Sequence, residues 1–322
     1  YLGGVFVAIS RDDACNAVSK YAGCWTGTVK PRPLALNDNA IKGTVNVASR
    51  FAAASGFFDA ARKGVCFEDA FLTAVDGEVR YLPHSPDHRC LHALPVRYEM
   101  DAERGRWIAM LREVFRRQRE DGSLDHEDTE GCICLLQEFI GACLMGLSTA
   151  MAACLILVGE GNDGKSKVLG VLRALFPTSA LCALPPQDWG HRFRSAELAG
   201  KRLNVVSELP ERDILDAERF KAVVAGDPLT AERKNQDPFL MTPEAGHLFA
   251  ANALPPTKDQ SKGFWRRFKV IPCTRQFQPD EEVREYDRLV IAEELAGVAA
   301  WAIDGAARVQ AQQRYTSPAS SE

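Results

Sequence analysis

The sequence predicts an α/β protein: a P-loop core with a parallel sheet, preceded by a mainly helical region and followed by a C-terminal helical segment. Three observations predict it. The run Gly159, Glu160, Gly161, Asn162, Asp163, Gly164, Lys165 and Ser166 fits G-x-x-x-x-G-K-[ST], and it follows the apolar stretch Cys154-Leu155-Ile156-Leu157-Val158. Between 151 and 280, apolar strand-like runs alternate with helical patterns, as parallel strands joined by crossover helices require. On both flanks, apolar residues recur at helical spacing.

Residues 1–44 are a mixed N-terminal segment, with a short helix compatible with Ser10 to Ala22 and a break at Pro31 and Pro33. Because the chain opens on Tyr1-Leu2-Gly3-Gly4 rather than Met, the expectation is a piece of a longer protein. Residues 45–150 read as a mainly helical domain. Val45 to Ala60 is alanine-rich and helix-compatible. An insert rests on Val65, Phe67, Phe71 and Leu72, then Val79, Tyr81 and Leu82; its second half is β-like, and its first half suits a strand or a short helix. Trp107, Ile108, Leu111, Val114 and Phe115 share a helical face, with Arg112, Arg116, Arg117 and Arg119 on the remainder as a solvated charge run. Phe139 to Val158 carries no charge, a length that spans a bilayer when read alone. A strand feeding directly into a glycine loop argues instead for a buried helix through Leu147, a turn near Ser148-Thr149, and then the strand.

The core, 151–280, should hold strands at Cys154–Val158, Leu203–Ser207, Leu248–Ala251 and Phe268–Ile271, with a helix from Val168 to Phe176 ended by Pro177. Residues 281–322 form a C-terminal segment, helical where Leu289, Ala292, Leu295, Val298, Ala299 and Ala302 repeat, with a polar tail from Ala311 expected to fray.

Composition sets bounds. Of 322 residues, 46% are hydrophobic and 25% charged, ordinary for a globular chain, and no signal peptide is expected from the pattern of these residues. A net charge of −4 leaves no global basic footprint, so a nucleic-acid partner has to meet a local basic surface. The ten cysteines include no C-x-x-C pair and read as reduced, mostly buried thiols. His84, His88, Cys90 and His92 are dense enough to raise a zinc site, but Pro83 and Pro86 interrupt them and the spacing matches no standard module.

The glycine loop lets backbone N–H groups cradle phosphate, and the following helix adds its positive end. Lys165 would reach the β- and γ-phosphates of ATP, Ser166 would hold Mg²⁺, and Lys167 follows in the binding segment. Such a loop is shared by many chemistries, so the later residues must discriminate. Glu208 closes a strand-like run, where an acid can act on Mg²⁺ or polarise water. Asn252 closes another, where an amide can sense the γ-phosphate. Arg266 and Arg267, among Phe264, Trp265 and Phe268, suggest a guanidinium offered to a neighbouring subunit's phosphates.

The order GEGNDGKS, VVSELP, FKAVVAGDPLTAERK, LFAAN and GFWRRFKVIP resembles the superfamily 3 helicases, closest to the helicase part of poxvirus-type and phage- or plasmid-encoded primase-helicases. The resemblance covers roughly residues 45–310 and includes Phe67-Glu68-Asp69-Ala70-Phe71 and Leu136-Gln137-Glu138-Phe139-Ile140-Gly141. It implies AAA+-like ATPase domains in a ring, usually a homo-hexamer, with ATP and Mg²⁺ at subunit interfaces. It implies Lys165, Ser166 and Glu208 from one subunit, Asn252 as sensor, and an arginine finger at Arg266 or Arg267 from its neighbour. Between Lys221 and Pro243 it implies a pore hairpin gripping single-stranded or forked DNA, with Arg233 and Lys234 as its basic residues. It also implies replication of a virus, phage or mobile element in the host-cell cytoplasm, away from membranes, with a primase domain or protein as possible companion. Two departures stand out: Glu208 is a lone acid after Ser207, and no primase carboxylates are evident, Asp12-Asp13 and Asp125-His126-Glu127-Asp128 reading more simply as solvated. The alternatives left open are an initiator or loader that binds DNA and ATP without processive unwinding, and a P-loop kinase for a small molecule.

Overall fold

A computed structural model gives the fold and describes residues 1–26, 31–52, 57–58, 61–210, 216–278 and 285–321. Helices α1 (Arg11–Ser19) and α2 (Asp38–Ala52) open the chain. The Ser10 hydroxyl caps α1, accepting the Asp13 N–H at 3.0 Å. Of the helix-compatible stretch to Ala60, residues 53–56 and 59–60 lie outside the described residues. The insert takes the strand alternative, with Phe67 in the connection between the first two strands: β1 (Val65–Cys66), β2 (Phe71–Val75) and β3 (Glu78–Leu82) form an antiparallel sheet.

Helix α3 (Gly105–Val114) buries Trp107, Leu111 and Val114 completely. The arginines around it pair with carboxylates: Arg112 with Glu130, Arg116 with Glu113, Arg117 with Asp128 and Arg119 with Asp125. Asp125 also caps α4 (His126–Met145), accepting the Asp128 N–H at 3.1 Å. Asp125 and Asp128 of the acidic stretch are thus taken up by capping and ion pairing, while Glu127 is exposed. The uncharged run resolves into the end of α4, a short helix Ser148–Met151 where a turn was expected, and β4 (Cys154–Val158). Among the described residues no helix is long and apolar enough to cross a membrane.

Helix α5 (Lys165–Leu175) follows β4 and begins earlier than apolar spacing suggested, because the loop itself feeds its first turn. Then come β5 (Leu181–Cys182), β6 (Leu203–Val206), α6 (Ala217–Ala225), the hairpin of β7 (Leu229–Ala231) and β8 (Phe239–Met241), β9 (Gly246–Ala251) and β10 (Phe268–Pro272). Strands β10, β4, β9, β6 and β5 lie side by side in that order, all parallel. The fold class expected from the sequence therefore stands. Strand β5 went unread, since two residues give no periodicity. Its edge is extended by Asn204 of β6, whose amide accepts the Leu184 N–H at 2.7 Å and donates to the Leu184 carbonyl at 2.9 Å.

Both sheet faces are covered, so the strands are mostly apolar rather than strictly alternating, with Asn204, His247 and Lys269 as the polar exceptions. Successive residues of β4 still divide between faces: Leu155 and Leu157 join the core of α3, α4 and α5, while Cys154 and Ile156 join Trp189, Phe220, Phe249 and Phe264. The C-terminal segment is two helices, α7 (Tyr286–Glu293) and α8 (Leu295–Gln312); 281–284 lie outside the described residues. Helices α8 and α4 approach at Gly141 and Gly305; a Cβ on Gly305 would sit 2.4 Å from the Gln137 carbonyl oxygen. The break between α7 and α8 is set by Glu294, whose buried carboxylate accepts the Arg106 and Trp107 N–H groups at 3.1 and 2.9 Å and so caps α3.

The tail does not fray. Glu138, fully buried on α4, accepts from Arg308 Nε at 2.6 Å, Gln312 Nε2 at 2.9 Å, the Thr316 N–H at 2.6 Å and the Thr316 hydroxyl at 2.8 Å. Tyr315 is buried beside it, and the Ser320 N–H reaches Asp128 at 3.0 Å. A polar tail docks because a buried carboxylate needs donors.

Candidate active site

Strand register gathers the site at one edge of the sheet. Ala251 lies opposite Val158, and Phe249 opposite Val206. The residues that follow each strand therefore emerge together where parallel α/β sheets bind ligands. Gly161 to Lys167, Ser207, Glu208, Ala251, Asn252, Phe277 and Gln278 line one cleft of about 640 Å³. It thus brings together Lys165, Ser166, Lys167, Glu208 and Asn252. Gly159 and Glu160 do not line it: the Gly159 carbonyl accepts from Lys165 Nζ at 2.7 Å, and Glu160 is exposed.

The loop is held from both sides. Gly164 caps α5 at φ +84°, and a Cβ there would meet Val114 Cγ2 at 2.6 Å, so both conformation and space demand glycine. Beyond β10 the chain folds back over the loop: the Phe277 N–H donates to the Asn162 carbonyl at 2.8 Å, and the Asn162 amide donates to the Phe277 carbonyl. Phe277 also lines a second, more apolar cavity of about 210 Å³ with Met110, Val114, Arg275 and Tyr286. Arg173 of α5 ties the acid-bearing segment down, donating to the Ser207 hydroxyl at 2.6 Å. Sequence reasoning missed Phe277 and Ser207; nothing in their spacing marks them, because a return loop brings one and a neighbouring helix fixes the other.

Arg266 and Arg267 stay outside the cleft. Arg266, at the end of the short helix Lys262–Trp265, is exposed. Arg267 is half-buried and its guanidinium donates to the Gly263 carbonyl.

Arg233 and Lys234 sit exposed between β7 and β8, with Arg233 stacked 4.7 Å over Phe239. The short helix Arg192–Ser195 packs against them: the Glu232 N–H donates to the Arg192 carbonyl at 3.1 Å, and Arg192 Nη1 to Glu232 at 3.0 Å. Phe193 is 61% exposed there and shares a groove with Arg194, Arg233 and Lys234. Sequence reasoning passed over Phe193; an aromatic between Arg192 and Arg194 is the signal that could have marked it.

The histidine-rich segment is otherwise engaged. His88 stacks on Phe71 at 4.0 Å, His84 bonds the Phe67 carbonyl at 3.0 Å, and His92 bonds Ser179 and the Gly200 carbonyl at 2.9 and 2.7 Å. Among the described residues no group of three or more His, Cys, Asp or Glu side chains could hold a metal ion. All ten cysteines are free thiols.

Comparison with known proteins adds to this geometry. Residues 35–116 match the family described as D5 N terminal like, and residues 157–267 match a family of unknown function, DUF5906. The protein named "Putative helicase L207/L206" of Acanthamoeba polyphaga mimivirus is 28% identical over 145 residues, which is 43% of this chain and 15% of the viral protein. Apo structures of the NrS-1 C terminal region align with TM-scores of 0.47 to 0.49 at 13 to 15% identity. Those alignments cover 73 to 75% of this chain and 64 to 66% of the NrS-1 chains; at that likeness the reading rests on the residues themselves. Five ordered motifs, the D5-type region ahead of them and the viral relative support the resemblance of this chain to the helicase part of phage- and virus-type superfamily 3 primase-helicases.

Proposed function

We propose that this chain is an ATP hydrolase that drives translocation along DNA, a ring-forming helicase of the superfamily 3 kind serving replication of a virus, phage or mobile element. One observation carries the reading. Lys165, Ser166, Glu208 and Asn252 share one cleft at the sheet edge, while Arg266 and Arg267 are not among the described residues that line it. This arrangement supports a phosphate cradle and acid on one subunit, with a cation supplied by its neighbour.

In this reading Lys165 and the loop N–H groups hold the β- and γ-phosphates. Ser166 and Glu208 would hold Mg²⁺, which screens the phosphate charge. Glu208 polarises the water that attacks the γ-phosphorus, and the bond to the β–γ bridging oxygen breaks to leave ADP and phosphate. Asn252 orients that water. The more apolar cavity beside Phe277 suits a nucleobase, being lined by Phe277 and Tyr286 and sharing Phe277 with the cleft as a common wall. The exposed Arg266 is better placed than Arg267 to serve as the finger, since Arg267 is already tied to Gly263. Arg233 and Lys234 would contact DNA phosphates while Phe193 stacks on a base, a pairing suited to single strands.

Substitution separates the roles. Lys165→Ala should abolish nucleotide binding, and Glu208→Gln should bind ATP normally yet hydrolyse it at least about 100-fold more slowly. Wild-type turnover by Glu208→Gln would remove Glu208 from the chemistry.

A further inference from the structure

We propose that Asp163 is a built-in counter-ion of the phosphate cradle, which an incoming polyphosphate must displace, and that it makes the cleft select phosphate chains carrying a divalent cation. This rests on the nucleotide reading above and deepens it.

Asp163 lies inside the loop and is only 4% exposed. Its Oδ2 accepts the Gly161 N–H at 3.2 Å, and its Oδ1 accepts the Lys165 N–H at 3.2 Å. The same carboxylate pairs with the Lys165 ammonium, itself 7% exposed. One side chain thus engages the cation and two N–H donors of the motif whose chemistry is to hold phosphate. The second loop lysine is matched as well: Lys167 Nζ pairs with Asp287 of α7 at 2.9 Å. Within residues 159–167, Glu160 and Asp163 offset Lys165 and Lys167, so the segment carries no net charge.

A phosphate loop ordinarily draws polyanions by an uncompensated cation and unpaired N–H groups. Here the nearest charge to an entering phosphate is a partnered ammonium with a buried carboxylate beside it. At low effective dielectric that carboxylate repels a bare phosphate chain strongly. Two routes relieve the repulsion: the carboxylate swings out of the loop, or the ligand arrives with its own positive charge. A magnesium-complexed triphosphate uses both. Inorganic phosphate and magnesium-free tripolyphosphate bring no compensating cation and should bind poorly. Asparagine at this position would keep an oxygen for the N–H groups and drop the charge.

The test is calorimetric titration of the full chain with tripolyphosphate and with ATP, each with and without Mg²⁺. Wild type, Asp163→Asn and Asp163→Ala are compared, with thermal melting to confirm folding. The expected result is that Asp163→Asn binds magnesium-free tripolyphosphate about tenfold or more tightly than wild type, with a reduced dependence of ATP binding on Mg²⁺. Asp163→Ala should move the same way, and it carries the test if the asparagine variant does not fold. If wild type binds magnesium–ATP and neither variant binds magnesium-free chains more tightly, the counter-ion role is overturned and the nucleotide reading survives. If neither wild type nor the variants bind any of these ligands, the nucleotide reading falls and takes this inference with it.

Discussion

A mixing experiment exploits the placement of Arg266 outside its own cleft. Lys165→Ala and Arg266→Ala should each be inactive for a different reason, one lacking the cradle cation and the other the finger. If the finger acts in trans, hydrolysis by Arg266→Ala alone should fall about 10³-fold while ATP binding persists. A one-to-one mixed ring contains interfaces in which an Arg266→Ala subunit gives an intact Lys165 site and a Lys165→Ala subunit gives an intact Arg266. With head-to-tail contacts and random assembly, half the sites are competent and half of their neighbours carry the finger, so about a quarter of interfaces are whole. The assay is steady-state ATP hydrolysis after the two variants are dissociated and reassembled together. Independent interfaces predict about a quarter of wild-type turnover from two inactive proteins, and less if firing must pass around the ring. A mixture no more active than the mean of its components, or an Arg266→Ala protein that hydrolyses normally when assembled, would refute the trans assignment. Arg267→Ala should act differently, by loosening the short helix through loss of its contact to Gly263.

Replacing Arg233 and Lys234 together with alanine should weaken single-strand binding and lower its salt dependence by about 0.7 per lost phosphate contact, without changing ATP affinity. Phe193→Ala should weaken the same binding with the salt slope unchanged, as measured by fluorescence anisotropy across salt concentrations. Glu138→Gln should cost about 2 kcal/mol in urea denaturation, because the lost charge sits on a fully buried side chain whose partly exposed donors anchor the tail; a loss below 1 kcal/mol would mean that the tail is not held there. Burial pushes the His247 pKa down to about 3, so the unfolded chain takes up a proton below its ordinary value of 6.5 that the folded chain refuses. Stability is therefore full above neutral pH and falls with acidification, by about 2 kcal/mol between pH 7 and pH 5 from this group, with His88 and His92 shifted in the same direction by burial. His247→Phe should flatten the pH dependence by that amount, and an unchanged curve would contradict the burial account.

The strands were legible because each is a dense apolar run buried on both faces: Cys154–Val158 stands as expected, and the runs ending at Ser207 and Ala251 differ only at their ends. That the glycine loop, Glu208 and Asn252 meet was legible from the same strands, since parallel topology sends strand ends to one edge. Features that depend on a single distant partner were not legible. The tail looks solvated until Glu138 is known to be buried beside it, and the break before α8 has no local cause until Glu294 is seen capping α3. Asp163 reads as one of four variable positions in its motif; only the side chain's inward turn reveals its pairing with Lys165. His84, His88, Cys90 and His92 show the converse, residue types suited to metal whose contacts are spent on carbonyls, a hydroxyl and an aromatic ring.

The most direct test of the central claim is ATP hydrolysis with and without single-stranded DNA, alongside the mass of the assembly in solution with a non-hydrolysable ATP analogue. The account predicts turnover stimulated by DNA from a ring-sized assembly. A monomer that binds nucleotide and ignores DNA would contradict it for this chain.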